Sequence, residues 1–76
     1  MNDVVEIVGY EHVISESGAE GTRVYCTRPL GAAGEGVEAI RHYINPKYCQ
    51  YVPVIGAHVV VITSRYGNVS NVYTIA

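Results

Sequence analysis

Seventy-six residues, 49% of them apolar and 16% charged, describe one small globular domain and exclude a disordered chain. The longest apolar run, Val59–Ile62, is far shorter than the roughly 20 residues that cross a bilayer. The start of the chain has no basic region ahead of an apolar core, so it does not read as a secretory signal, and a cytoplasmic protein is expected.

The net charge of −2 hides a division. All seven acidic residues lie between Asp3 and Glu38, where only Arg23 and Arg28 oppose them, so that half sums to −5. From Ala39 onward there is no acid, and Arg41, Lys47 and Arg65 give +3, with His42 and His58 beside them. Such a division points to an anionic partner. The mild overall acidity excludes the unspecific phosphate attraction of a strongly basic protein. A chain this short buries only about 60% of its unfolded surface, so a homodimer is also expected.

The apolar residues recur mostly with a period of two, which predicts strands. The first strand is expected over Asp3–Ile14, with Gly9 marking a bulge or bend in its middle. Ser15–Gly21 reads as a polar hairpin connection. The second strand, Thr22–Pro29, places Val24 and Cys26 on one face and Arg23, Tyr25 and Thr27 on the other. Leu30–Gly36 is glycine-rich but lacks the Gly-Lys-Ser/Thr of a phosphate-cradling loop.

Val37–Ile44 fits two patterns. Ala39, Ile40 and Tyr43 fall at helical spacing. As a strand, it sets Val37, Ala39, Arg41 and Tyr43 against Ile40 and Ile44. Pro46 would cut a helix short, which favours the strand. A slip of one residue would exchange Arg41 and Tyr43 for His42 and Ile44 on the outward face.

Asn45-Pro46 resembles a helix cap followed by proline at the first helical position, predicting one helical turn over Pro46–Gln50. After Pro53 and Gly56, His58–Arg65 is a β-branched strand. Tyr66-Gly67-Asn68 is expected to form a tight hairpin with positive φ at Gly-Asn, and Val69–Ile75 is the closing strand. Five strands with a helical turn between the third and fourth predict an all-β, single-domain OB-like barrel over residues 1–76. An SH3-like barrel is the nearest competitor, but it places its helical turn between the last two strands.

Catalysis has no recognisable frame here. There is no Gly-x-Ser-x-Gly, no supported Ser-His-Asp spacing and no paired carboxylates, so the chain does not read as an enzyme. Cys26, His42, Cys49 and His58 match no metal-ligand spacing, and no metal or cofactor is expected. The two cysteines read as free, partly buried thiols.

All seven aromatic rings are tyrosines. The core must then come from Val, Ile, Leu and Ala, which leaves rings for a surface. On an OB-like barrel, ligands lie across the second and third strands. Arg23, Tyr25, Thr27, Arg41 and Tyr43 are therefore the predicted nucleic-acid-binding set. The tyrosines would stack bases and the arginines would meet phosphates. Arg65 and Tyr66 would clamp the strand from the last hairpin, and Tyr10 or His12 would widen the platform. Tyr48, Tyr51 and Tyr73 are assigned to packing. Each residue taken singly also has an ordinary structural role, because tyrosine favours strands and arginine packs over rings.

One stretch carries a resemblance. Tyr51-Val52-Pro53-Val54-Ile55-Gly56, then His58-Val59-Val60-Val61, then Arg65-Tyr66-Gly67-Asn68-Val69 is similar to the ending of small single-stranded DNA-binding proteins of phages and bacterial mobile elements. The resemblance covers about residues 51–75. It implies an OB-like barrel, often dimeric, that coats displaced single strands. The alternative is a protein–protein interaction module, an inhibitor or accessory subunit of a mobile element, in which the tyrosines form an interface hot spot.

Overall fold

A computed structural model describes residues 2–75 of the chain. It is all-β, with five strands: β1 (Asn2–Ile14), β2 (Glu20–Pro29), β3 (Val37–Ile44), β4 (His58–Thr63) and β5 (Val69–Thr74). They form one antiparallel sheet in the order β3-β2-β1-β4-β5. Val37–Ile44 is a strand, and its outward face is the expected one, with Arg41 and Tyr43 exposed and Ile44 buried.

β1 is the spine of the sheet. Its first residues, Asn2–Glu6, pair with β4, and Glu6–Ile14 pair with β2. At the changeover, the Ile7 N–H donates to the Ala57 carbonyl at 3.0 Å and its carbonyl accepts from Gly56 N–H at 2.8 Å. The bulge expected near Gly9 is present. Ile7 faces Cys26 and Gly9 faces Tyr25, so Val8 has no partner opposite it. One inserted residue reverses the alternation of faces beyond it.

One face of the sheet holds the core: Val5, Ile7, Val24, Cys26, Ile44, Val59, Val61, Val69 and Val72, closed at one side by Cys49, with Tyr51 packed against it. Val59 has no exposed surface and Ile7 only 1%. With no second layer present, the sheet must curl around these side chains to exclude water. Among the described residues the core contains neither leucine nor a buried alanine, and the one leucine, Leu30, is exposed. Cysteine takes that volume instead, and both Cys26 and Cys49 are buried free thiols.

The expected barrel is not closed. β3 and β5 approach one another, but no ladder joins them. On β5 the register shifts opposite Ile62/Thr63, and the Val72 N–H is held by the Asn71 side chain at 2.9 Å. Both features interrupt the regular run of backbone donors that a closing ladder uses.

The helical turn expected after β3 is also absent as a helix. Tyr48 and Cys49 N–H both donate to the Asn45 carbonyl at 2.9 Å, and Asn45 Oδ1 caps Lys47 N–H, but residues 49–54 then belong to no helix or strand. A lone turn ahead of Pro53 cannot repay the cost of nucleating a helix. The helical element among the described residues is a 3-10 turn, Gly31–Ala33, between β2 and β3.

The β1–β2 and β4–β5 turns are built alike. Gly18 N–H donates to Ser15 carbonyl and Gly67 N–H to Ser64 carbonyl, each at 2.9 Å, and the two glycines take φ of +86° and +85°. Asn68 has no positive φ, so the β4–β5 connection is this longer serine-to-glycine turn rather than a tight Gly-Asn hairpin. Among the described residues, no helix is long and apolar enough to cross a membrane.

Candidate nucleic-acid interface

The β2–β3 ladder sets arginine against tyrosine twice. Arg23 lies opposite Tyr43, and Tyr25 lies opposite Arg41. Directly opposed residues share a face, so all four project from the side away from the core, together with Thr27 opposite Ala39. Five of the seven predicted residues are thereby brought together.

Two glycines make room for the rings. Tyr25 lies opposite Gly9 on its other side, where a methyl group would stand 4.0 Å from its ring. Tyr43 leans along the sheet over Gly21. Any side chain at Gly21 would collide with the Tyr43 hydroxyl and ring edge. Tyr25 and Tyr43 remain 36% and 40% exposed. Each ring is thus partly supported by the sheet and partly open, the condition for stacking a flat partner.

A shallow trough of ≈ 340 Å³ lies beside them, lined by Val8, Tyr25, Thr27, Ala39 and Arg41 among others. Ala39 keeps it open, since a larger residue opposite Thr27 would fill it. Among the described residues Arg41 has no ion-pair partner.

Glu11, opposite Arg23 on β1, joins this face. Its Oε1 accepts from the Tyr25 hydroxyl at 2.6 Å and from Arg23 Nη1 at 3.1 Å. The Tyr25 hydrogen bond, and then Arg23, hold the Glu11 carboxyl below its ordinary range. The same two neighbours raise the Arg23 guanidinium further, so both groups are charged at neutral pH.

Other expected members lie elsewhere. Arg65 and Tyr66 sit in the β4–β5 turn, beyond the Asn2 end of β1, whereas Glu11 and Arg23 lie toward the Ile14 end. They do not overhang the platform, because β4 runs away from it. Tyr10 and His12 lie opposite Val24 and Thr22, on the core side of the sheet. The bulge at Val8 turns them there, so they do not widen the platform. They instead line a separate cleft of ≈ 360 Å³ with Thr22, Tyr51, Val52 and Pro53.

Of the rings assigned to packing, Tyr51 does pack on the core, but Tyr48 and Tyr73 are exposed. Tyr73 follows the buried Val72 and so points outward, opposite Val60. Its hydroxyl accepts from the Asn71 amide at 2.7 Å.

Arg28, by contrast, turns to the core side. It pairs with Glu38 at 3.0 Å and with Asp3, whose other oxygen lies 3.3 Å from His42 Nε2. Glu38 first, then Asp3, raise its guanidinium further. Among the described residues no group of His, Cys, Asp and Glu could hold a metal ion.

Glu11, Gly9, Gly21 and Ala39 belong to this surface without having been singled out for it. Only the strand register reveals them, although Gly9 stood out as a bulge. No family model, no curated protein and no solved structure matches the chain.

Proposed function

We propose that the chain binds single-stranded nucleic acid, DNA in the first instance, across the outer face of β2 and β3. One observation carries this reading: two tyrosines on adjacent strands, each seated over a glycine and each opposite an arginine, face one way beside an open trough. A base stacked on such a ring contributes about 1–3 kcal/mol. Arg41 meets phosphate from the β3 side and Arg23 from the β2 side, while Thr27 lines the path between bases. Arg65 and Tyr66 contribute only if the strand continues over the β1–β4 half of the sheet.

The finer fold reading is an OB-like barrel. The order β3-β2-β1-β4-β5, with β1 shared between two partners, supports it. A single ladder between β3 and β5 would complete the barrel, and bound nucleic acid or a second copy of the chain would favour that closure.

The test is a titration of a labelled oligo-dT, roughly 20 nucleotides long, at low and moderate salt. Stacking quenches tyrosine fluorescence, and phosphate contacts make the affinity fall with salt. Absence of binding near 50 mM salt, the low end of the usual range, overturns the reading.

A second observation favours a protein partner. Across the outer face, Val37, Val4 and Tyr73 are exposed beside Pro29 and Val60, forming an apolar row over all five strands. A homodimer or an accessory-subunit contact would use that row, and sedimentation across a concentration series distinguishes the two.

A further inference from the structure

The Glu11 carboxylate occupies a position where two donors converge. The Tyr25 hydroxyl and Arg23 Nη1 both point at one oxygen, Glu11 Oε1, at 2.6 and 3.1 Å. Two donors on a single anionic oxygen is also the arrangement by which a protein holds a phosphate oxygen. The three groups are solvent-accessible, with the Arg23 and Glu11 side chains 37% and 50% exposed. An incoming anion can therefore reach them without any rearrangement of the core.

The surrounding charge sharpens the point. On the outer face of β1, β2 and β3, the other acid is Glu6, which lies 3.3 Å from His58 on β4. Glu38 is turned to the core side with Arg28. Among the described residues Glu11 alone pairs with Arg23, and Arg41, one row away, has no ion-pair partner.

We propose that Arg23 and Tyr25 form a phosphate subsite and that Glu11 fills it as an internal competitor until a phosphodiester displaces it. The proposal rests on the nucleic-acid reading and adds a built-in restraint to it. A phosphate brings the same negative charge, so Arg23 and Tyr25 keep their hydrogen bonds when Glu11 swings out. A neutral or cationic ligand gives them nothing in exchange. The subsite thereby selects for an anionic backbone, and the resting affinity is held down.

The test compares the full chain with Glu11→Gln and with the double variant Glu11→Gln/Arg23→Gln. Each protein is titrated with oligo-dT, and the full chain and Glu11→Gln are also titrated with inorganic phosphate, following the Arg23 side-chain N–H by NMR. Glu11→Gln should bind oligo-dT about tenfold more tightly, a typical strength for one charged hydrogen bond. Its log-affinity should also fall more steeply with log salt, by about 0.7 for the one phosphate gained. The double variant should lose both gains. Inorganic phosphate should shift the Arg23 N–H in Glu11→Gln and much less in the parent chain.

If oligo-dT binds but Glu11→Gln leaves affinity and slope unchanged, or weakens binding, Glu11 only positions Arg23 and the proposal falls. If no protein binds oligo-dT but phosphate shifts Arg23 in Glu11→Gln, the subsite stands and the nucleic-acid reading falls. If neither probe acts, the subsite falls as well.

Discussion

Arginine and tyrosine meet in two regions of this molecule, on the β2–β3 sheet and in the β4–β5 turn, and the two meetings differ in construction. On the sheet, Arg23 faces Tyr43 and Arg41 faces Tyr25 across the ladder, and each ring rests over a glycine. In the turn, Arg65 donates to the hydroxyl of its neighbour Tyr66 at 2.8 Å, with its guanidinium 5.0 Å from the ring centre. Tyr66 is 75% exposed, with no sheet behind its ring. Strand alternation fixes the direction of the first set at no further entropic cost. The second set satisfies itself and must break that contact, and lose freedom, to hold anything else. Composition is equal in the two regions; backing is not.

The largest expected effect tests whether both regions hang on one core. Ile7 is buried where β1 passes from β4 to β2. Ile7→Ala should cost about 2–5 kcal/mol of stability in denaturant unfolding. Hydrogen exchange should report the loss in β2–β3 and β4–β5 together, and a loss confined to one half would break the single-core view.

Next in size is the contrast between rings. Tyr25→Ala and Tyr43→Ala should each weaken oligo-dT binding by about 1–3 kcal/mol, and Tyr66→Ala by less than about 0.5 kcal/mol. Equal losses would bring the turn into the site. Gly21→Ala sharpens the point without removing a ring. Its backbone φ is not positive, so alanine fits the chain, but the Tyr43 ring must move off. Binding should fall by up to about 1 kcal/mol, with altered Tyr43 ring signals in NMR.

Arg41→Gln should flatten the salt dependence by about 0.7 in log–log slope, and Arg65→Gln should leave it unchanged.

The smallest effect at neutral pH concerns the sheet behind the platform. Burial first, and the Asp3 charge second, push the Cys26 thiol from 9.0 up to about 11. A raised value means the folded chain holds this proton more tightly than the unfolded one. Stability is therefore complete below pH 9 and declines between pH 9 and about 11, as the thiol ionises in the unfolded chain. Cys26→Val should remove that decline in a pH series of denaturant midpoints.

Much of the fold was legible because alternation is a local signal. Val24 and Cys26 against Arg23, Tyr25 and Thr27 needed only the period of two, and the same pattern divided β3 into two sides, of which the register makes Arg41 and Tyr43 the outward one. What failed depended on distant partners or on one extra residue. Strict alternation from Val5 and Ile7 would put Tyr10 and His12 on the platform side, and the bulge near Gly9 reverses their facing. The seat under Tyr43 could not be read, because Gly21 belongs to another strand and resembles any loop glycine. Glu11 counted as part of an acidic half, whereas its partners Arg23 and Tyr25 come from across the ladder. The turn after β3 shows a sound cap at Asn45 with no helix behind it, since capping starts a helix but cannot lengthen one.

The bulge at Val8 has a consequence for how this surface can change over generations. Removing that one residue would restore strict alternation in β1 and leave Gly9 opposite Tyr25 and every later pair unchanged. Tyr10 and His12 would stay on the core side, and Glu11 would stay beside Arg23. The bulge is therefore the place where β1 can shorten by one codon and still present the same letters on the same sides.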